Sequence, residues 1–245
     1  MEGEADGGTP AGRGRVSANA LLLAMVLGGG LALTLLVRWF WSSGDPTADL
    51  VLQLKSAEGE GALQLAIPGE AARLVSGRAS FDRITLELTP GAPDAFATAT
   101  LDLEGKLEET QVHSLGYERV RFTRDGRDWV PAEGLAPMLS RAMAALCARR
   151  RALDGGKVAD LAGLSHRTPE QVRGDPEVAR VLGLSERRYR VKGWYLRLER
   201  DSALVSEDSR LTGSSPERPV DEQRTRRLEL KLDPQGEFYF ASGLM

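Results

Sequence analysis

Apolar residues along this 245-residue chain recur at two different spacings, and each change of spacing marks a new predicted element. Between Asp49 and Pro131 they recur at every second position, which is typical of strands buried on one face. The runs are Leu50, Leu52 and Leu54; Leu63, Leu65 and Ile67; Ile84, Leu86 and Leu88; Ala97, Ala99, Leu101 and Leu103; and Val120 with Phe122. Because Gly, Pro, Asp and Ser fill the gaps, we predict an antiparallel β module over residues 48–135.

A helical spacing follows this module. Pro137 suits the first position of a helix, the apolar stripe runs to Leu153, and Gly155 with Gly156 suits its end. Two shorter helices are indicated by their N-terminal signals. Residues 168–171 (TPEQ) have the form of a capping box, and Asp175 offers an N-cap before a proline at the first helical position.

Strand periodicity returns at Arg188 and continues to the end of the chain. We predict strands over residues 188–198, 203–211, 225–232 and 237–241, with a loop over 213–221 and a type I turn over 233–236. In the first of these strands the apolar residues Tyr189 and Val191 lie at odd positions, whereas Trp194, Leu196 and Leu198 lie at even positions. A one-residue slip turns side chains to the opposite face, so we predict a β-bulge at Lys192-Gly193.

The segment from Ala20 to Val37 contains eighteen residues without a charge, and Arg38 and the aromatic residues 39–41 (WFW) follow it. At about 1.5 Å of rise per residue such a helix covers about 27 Å, close to the thickness of the bilayer core. We therefore predict a transmembrane helix over residues 18–41, with the lipid bilayer as its partner. A cleaved signal peptide and a buried core helix are the alternatives, but the run is too long for the first and has no polar face for the second.

The residues around and within this segment give predictions about membrane topology and self-association. Residues 1–17 are polar and Gly-rich, which predicts a disordered tail. Arg13 and Arg15 precede the segment, which favours an N-terminus in the cytoplasm and the C-terminal domains in the periplasm of a bacterial inner membrane; the alternative keeps both C-terminal modules in the cytoplasm. Ala24, Gly28 and Ala32 lie four residues apart, the small-residue pattern that allows two membrane helices to approach closely, so self-association is a hypothesis.

Charge and composition exclude several function classes. The chain has 32 Lys and Arg against 35 Asp and Glu, and this balance argues against nucleic acid as a partner. Its basic clusters, at residues 149–151, 187–190 and 224–227, are interpreted as solvated faces. The only cysteine, Cys147, excludes an internal disulfide, and its alanine-rich surroundings predict a small buried thiol.

Residues with chemical potential are few and scattered. His113 and His166 are the only histidines and have no cysteine beside them, so no metal site is predicted. A Cys147–His166 nucleophile pair lacks a helix N-terminus to stabilise a thiolate. Residues 155–157 (GGK) lack the Ser or Thr of a phosphate loop, and Asp160 is more typical of a solvated helix position. We therefore predict no catalytic, cofactor-binding or metal-binding residue and no cofactor.

The C-terminal part resembles the NTF2-like (SnoaL-like, cystatin-like α+β) superfamily. The resemblance lies in the helix with Leu139, Leu146, Ala152 and Leu153 and in the final run RRLELKLDPQGEFYFASGL (residues 226–244). It implies an α+β fold over residues 136–245 in which a bent antiparallel sheet forms a cone around helices. Family enzymes place an Asp, His or Tyr inside that cone, and no such motif transfers to this sequence residue by residue.

Two functional hypotheses follow from these predictions. The first is a single-pass membrane-anchored protein that binds or assembles with an unknown protein partner and has no catalytic activity. Its layout is similar to that of the inner-membrane scaffold subunit of type IV secretion systems. The second is a small-ligand carrier or SnoaL-like enzyme that uses the cone as a pocket. A roomy, partly polar cavity containing Asp160 or His166 would favour the second hypothesis.

Overall fold

The structure, a computed structural model, describes residues 46–126 and 128–244. The predicted tail at residues 1–17 and the predicted membrane helix at residues 18–41 lie outside this range. Within it, no helix combines the length and the apolar character that a membrane crossing requires. The described chain is α+β, with a large sheet that is almost entirely antiparallel and a set of mostly short helices.

The described elements follow one another in a simple order. The helices are α1 (Pro46–Ser56), α2 (Pro137–Gly155), α3 (Val158–Leu164), α4 (Pro169–Arg173) and α5 (Pro176–Leu182). The strands are β1 (Gln64–Ala66), β2 (Arg73–Leu88), β3 (Asp94–Leu107), β4 (Thr110–Asp125), β5 (Asp128–Pro131), β6 (Ser185–Leu198), β7 (Ser202–Ser214), β8 (Pro219–Leu232) and β9 (Phe238–Ser242).

One predicted strand is wrong: the run that contains Leu50, Leu52 and Leu54 forms helix α1. Leu50 and Leu54 are four residues apart, so they share one helix face, and both are fully buried. Leu52 lies on the opposite side and is 52% exposed. Three leucines at alternate positions fit a helix as well as a strand, and Asp49 in the first turn with Lys55 in the last favours the helix.

The first part of the sheet is the predicted antiparallel meander. β2 pairs with β3, β3 pairs with β4, and the short strands β1 and β5 pair with β2 and β4. Inward positions on β3 are apolar and buried, as their alternation predicts, whereas β4 also turns Thr110, Ser114 and Glu118 inward. β2 carries an irregularity between Asp82 and Thr85, where Arg83 has a positive φ of 53°. One extra residue is accommodated there, which is the geometry of a β-bulge.

The helices follow their predicted start and stop signals. α2 begins at Pro137 and ends at Gly155, and the residue that follows, Gly156, has a left-handed conformation (φ 69°) that suits glycine. Thr168 and Gln171 form the predicted capping box, and Asp175 caps α5 by accepting from the N–H groups of the two residues after Pro176. α3 is an additional helix that these signals did not predict.

The second part of the sheet confirms the predicted β-bulge. Val191 pairs with Ser209 and Gly193 pairs with Asp208, so Lys192 is the extra residue. The predicted loop at residues 213–221 is shorter than expected, because β7 and β8 remain paired up to Ser214 and Pro219. β9 completes this antiparallel meander by pairing with β8.

A parallel pairing between β4 and β6 joins the two meanders into one nine-stranded sheet. Gly116 lies at the end of this pairing, and a Cβ atom there would stand 2.0 Å from the Leu198 carbonyl oxygen. The predicted domain boundary between residues 135 and 136 falls just before α2. Strands from before and after this boundary belong to the same sheet. The division into domains at 48–135 and 136–245 stays a prediction about folding units.

Candidate functional site

A buried ion pair lies where α2 packs on the second meander. Arg149 on α2 and Glu207 on β7 are both fully buried. Arg149 Nη1 donates to both carboxylate oxygens of Glu207, at 3.1 and 3.0 Å, and Arg149 Nε donates to the Leu244 carbonyl oxygen at 2.7 Å. The guanidinium therefore connects the long helix, the sheet and the C-terminal segment.

Two aromatic residues of β6 complete the coordination of the Glu207 carboxylate. The Tyr189 hydroxyl donates to Oε1, and Trp194 Nε1 donates to Oε2 at 2.8 Å. On the other side, Arg226 Nη1 donates to the Tyr189 oxygen at 3.0 Å. We call this set, Arg149, Tyr189, Trp194, Glu207 and Arg226, the cone cluster.

Electrostatics inside the cone cluster favour the charged pair. Burial would raise the pKa of Glu207, but the Arg149 guanidinium and the hydrogen bonds from Tyr189 and Trp194 hold that pKa below its ordinary value. Burial raises the pKa of the Tyr189 hydroxyl, which therefore stays protonated as a donor at neutral pH. Glu207 is ionised and satisfied by donors on several sides, so it is poorly placed to accept a proton from a substrate.

Local chain geometry positions the Leu244 carbonyl against Arg149. Gly243 has a φ of 71°, and a Cβ atom at this position would lie 2.4 Å from the Arg227 carbonyl oxygen. Only glycine fits a positive φ with so close an approach. The turn after β9 thus directs the next residue into the core, where Leu244 is buried.

The interior that the resemblance describes as a cone is filled by side chains. Six inward-facing residues of the second meander are at most 5% exposed: Tyr189, Trp194, Leu228, Leu230, Phe238 and Phe240. Apolar residues of α2, among them Leu146 and Leu153, are fully buried against the same core. Residues with so little accessible surface do not enclose a pocket of about 300–1,000 Å³, the usual volume of a small-molecule site.

A cleft of about 630 Å³ shares Tyr189 with the cone cluster but is a surface feature. Its charged lining residues oppose one another in sign: Glu108, Glu109 and Asp154 against Arg150, Arg151 and Arg190. Arg150 lies 3.9 Å from carboxylate oxygens of both Glu70 and Glu108. Because the charges are internally balanced, the cleft has no excess of either sign with which to select an ion.

The structure does not bring the sequence-derived candidates together in the interior. Cys147 is fully buried, and burial raises the pKa of its thiol to about 12, the reverse of an activated nucleophile. His166 is exposed and stacks on Tyr239 with 4.2 Å between ring centroids. Asp160 is also exposed and lies 4.0 Å from Lys157. Among the described residues, no group of three or more His, Cys, Asp or Glu side chains could hold a metal ion.

The outer face of the sheet carries several exposed apolar side chains. His113 on β4 stacks on Tyr195 of β6, with ring centroids 5.1 Å apart. Leu115 and Leu204 lie in the next row of the sheet, one on each side of Arg197. Leu115, Tyr195 and Leu204 are each about half exposed, at 54%, 45% and 47%. Adjoining exposed apolar residues of this kind are more typical of contact surfaces than of isolated solvent positions.

A second buried carboxylate, Glu118 on β4, caps the N-terminus of α2. Its two oxygens accept from the N–H groups of Met138 and Leu139, at 2.9 and 2.8 Å. Burial raises the pKa of Glu118 to about 8, although both hydrogen bonds oppose that shift. The position preceding Pro137, Ala136, has no side chain that could cap the helix, so a residue from the sheet supplies the acceptor.

The cone cluster was missed by the sequence analysis, which interpreted residues 149–151 as a solvated face. A signal was nevertheless present. Arg149 lies three residues after Leu146 and four before Leu153, so it falls on the buried stripe of α2. Glu207 has the same parity as Val205 and Leu211 on β7. Opposite charges at inward positions of two elements indicate a buried ion pair.

From Pro137 to Leu244 the order of elements resembles that of the NTF2-like superfamily: a long helix, short helices, and a bulged four-stranded antiparallel meander. Neither a protein-family profile nor a curated protein matches the sequence. Among solved structures, a candidate ketosteroid isomerase from Shewanella frigidimarina NCIMB 400 is 14% identical, with a TM-score of 0.36, and covers 41% of this chain and 90% of its own.

An NTF2-like protein involved in plasmid conjugation is a further structural match. It is 9% identical, with a TM-score of 0.29, and covers 71% of this chain and 78% of its own. Similarities this low carry no argument about activity. The NTF2-like resemblance rests on the order and pairing of elements seen in this chain.

Proposed function

We propose that this chain is a single-pass membrane protein whose NTF2-like body acts by binding or assembly and not by catalysis. The observation that carries the proposal is the filled interior of the cone. An enzyme or carrier of the alternative hypothesis needs space for a ligand beside a functional group. Here Arg149 and Glu207 occupy that position and pair with each other.

The location of the titratable side chains supports the same conclusion. The alternative hypothesis requires Asp160 or His166 in a roomy cavity, and both side chains are more than half exposed. The interior carboxylate, Glu207, is held ionised by its donors. Function is then expected on the surface, where the outer sheet face exposes Leu115, Tyr195 and Leu204.

The membrane anchor is proposed from the sequence. Residues 18–41 have the length and apolar character of one bilayer crossing, with the aromatic residues 39–41 suited to the interface. Arg13 and Arg15 before the span favour a cytoplasmic N-terminus. We accordingly propose a bacterial inner-membrane location with the body in the periplasm, which reporter fusions to the C-terminus would test.

The filled interior can be tested by calorimetric titration of the full-length chain in lipid nanodiscs with indole, a small and mainly apolar probe. Empty nanodiscs correct for partition into lipid. We expect no saturable binding by the wild type. Leu230→Ala is the positive control, because truncating this fully buried side chain creates a cavity of the kind that binds benzene-sized molecules. Saturable binding by the wild type that Leu230→Phe abolishes would contradict the proposal and favour a ligand carrier.

A further inference from the structure

The outer edge of β2 is protected over only part of its length. β1 pairs with residues 73–75, and Gly59 forms a bridge with Ala79. Two side chains at the end of α1 replace a strand at Phe81: Glu58 accepts from the Phe81 N–H at 2.6 Å, and Lys55 Nζ donates to the Phe81 carbonyl oxygen at 2.6 Å. The first half of the edge is thus closed to further pairing.

The second half, residues 82–88, pairs with β3 on one side only. None of the residues that the structure describes pairs with its other side. Arg83, Thr85 and Glu87 are exposed, and Ile84, Leu86 and Leu88 are half-buried at the margin of the core. An uncovered, partly apolar edge presents free N–H and C=O groups and is a template for another strand.

We propose that this edge binds the same edge of a second copy of this chain, antiparallel and centred on Thr85. In this register Arg83 of each copy lies opposite Glu87 of the other, and Ile84 lies opposite Leu86. The edge is therefore self-complementary in both charge and apolar character, and the two-fold symmetry repeats each favourable pair. This inference goes beyond the proposed function and does not depend on the membrane anchor.

The backbone alternation of β2 is compatible with this register. The N–H and C=O groups of Ala79 and Phe81 point away from β3, since they bond to Gly59 and to the α1 side chains. The extra residue at the Arg83 bulge moves the outward-pointing positions from odd to even residues. Ile84 and Leu86 then form the hydrogen-bonded pairs between copies, and Thr85 faces its own copy in a close, non-hydrogen-bonded pair.

The charged residues of the edge identify a second copy as the occupant. The Arg83 side chain is exposed and has no ion-pair or hydrogen-bond partner among the described residues, although the acidic Asp82 precedes it in the same strand. Glu87 contacts Arg119 at 2.9 Å, but both side chains remain half exposed. In an antiparallel pairing centred on Thr85, Arg83 and Glu87 of the two copies face each other with opposite charges, which favours a second copy of this chain as the occupant.

Disulfide cross-linking of the full-length chain in its membrane tests the proposal. In Thr85→Cys the two Cα atoms are expected about 4.5 Å apart, within the range that a disulfide bridges. Thr98→Cys is the matched control, because Thr98 is the partner of Thr85 on β3, one strand farther from the edge. Two additional strand spacings separate its copies by about 14 Å, which no disulfide spans. The native Cys147 is buried and does not interfere.

We expect a disulfide-linked dimer from Thr85→Cys and none from Thr98→Cys. Adding Arg83→Glu should lower the dimer yield several-fold, and adding Glu87→Arg as well should restore it, because the opposite charges face each other again. Absence of the disulfide-linked Thr85→Cys dimer would overturn the proposal, even if the protein still dimerises through its membrane segment. Two other results would also overturn it: a Thr98→Cys dimer yield equal to that of Thr85→Cys, or a Thr85→Cys dimer yield that Arg83→Glu does not change.

Discussion

Replacing Glu207 with Gln tests the physical reasoning behind the filled interior. The substitution keeps the size of the side chain and one acceptor oxygen but removes its charge. Arg149 remains fully buried with its cation uncompensated, because its other hydrogen-bond acceptor is the neutral Leu244 carbonyl. We therefore expect a large loss of stability from a change of very few atoms.

The size of this loss follows from the burial of both partners. Breaking a buried ion pair by removing one charge costs roughly 3–5 kcal/mol, since the remaining charge keeps its desolvation penalty. The exposed pair between Glu229 and Lys231, 3.3 Å apart, provides a matched control. Pairs of this kind contribute about 0–1 kcal/mol, so Glu229→Gln should be almost neutral.

Urea unfolding of the full-length chain, followed by near-ultraviolet circular dichroism, measures both variants. With a slope of about 1–3 kcal/mol per M, the expected loss lowers the midpoint by about 1 M or more. The double variant Arg149→Met, Glu207→Leu should be more stable than the sum of its single changes predicts, because no buried charge remains. A loss below about 1 kcal/mol in Glu207→Gln, or strict additivity in the double variant, would refute the reasoning.

Three further predictions concern Glu118, Gly116 and Cys147. Because the pKa of Glu118 is raised to about 8, the folded state binds more protons than the unfolded state above pH 4.5. The free energy of unfolding should therefore fall by roughly 5 kcal/mol as the pH rises from 4.5 to 8. In unfolding experiments at several pH values, Glu118→Gln should flatten this dependence. Gly116→Ala should destabilise the protein by more than about 2 kcal/mol, because the added Cβ clashes with the Leu198 carbonyl. Gly163 lies in a helix with open space around it, so the control variant Gly163→Ala should be neutral or stabilising. Thermal unfolding measures both variants. Cys147 should react with a thiol reagent only after denaturant is added, and rapid labelling of the native protein would contradict its burial.

Local signals in the sequence predict much of this fold. The bulge at Lys192 was predictable because a parity change leaves side chains on the wrong face unless a residue is added. The starts of α2 and α5 were predictable because proline fixes φ and suits the first helical position, and the end of α2 was predictable because glycine readily adopts the left-handed conformation of Gly156. These features depend on a few neighbouring residues, so no tertiary information is needed to find them.

Features that depend on distant parts of the chain were not predictable in the same way. The run from Leu50 to Leu54 satisfies both spacings, and contact with β2 and β5 decides between them. Parallel pairing of β4 with β6 depends on the packing of the two meanders, and no local pattern encodes it. The capping of α2 by Glu118 likewise joins residues about 20 positions apart.

Membrane association of the intact chain tests the central claim most directly. Cells that express the full-length protein are lysed without detergent, and the membranes are washed with alkaline carbonate, which removes peripheral proteins. We expect the chain to stay in the pellet with its N-terminal residue intact, and we expect deletion of residues 18–41 to release it. Recovery of the intact full-length chain in the soluble fraction would contradict the account.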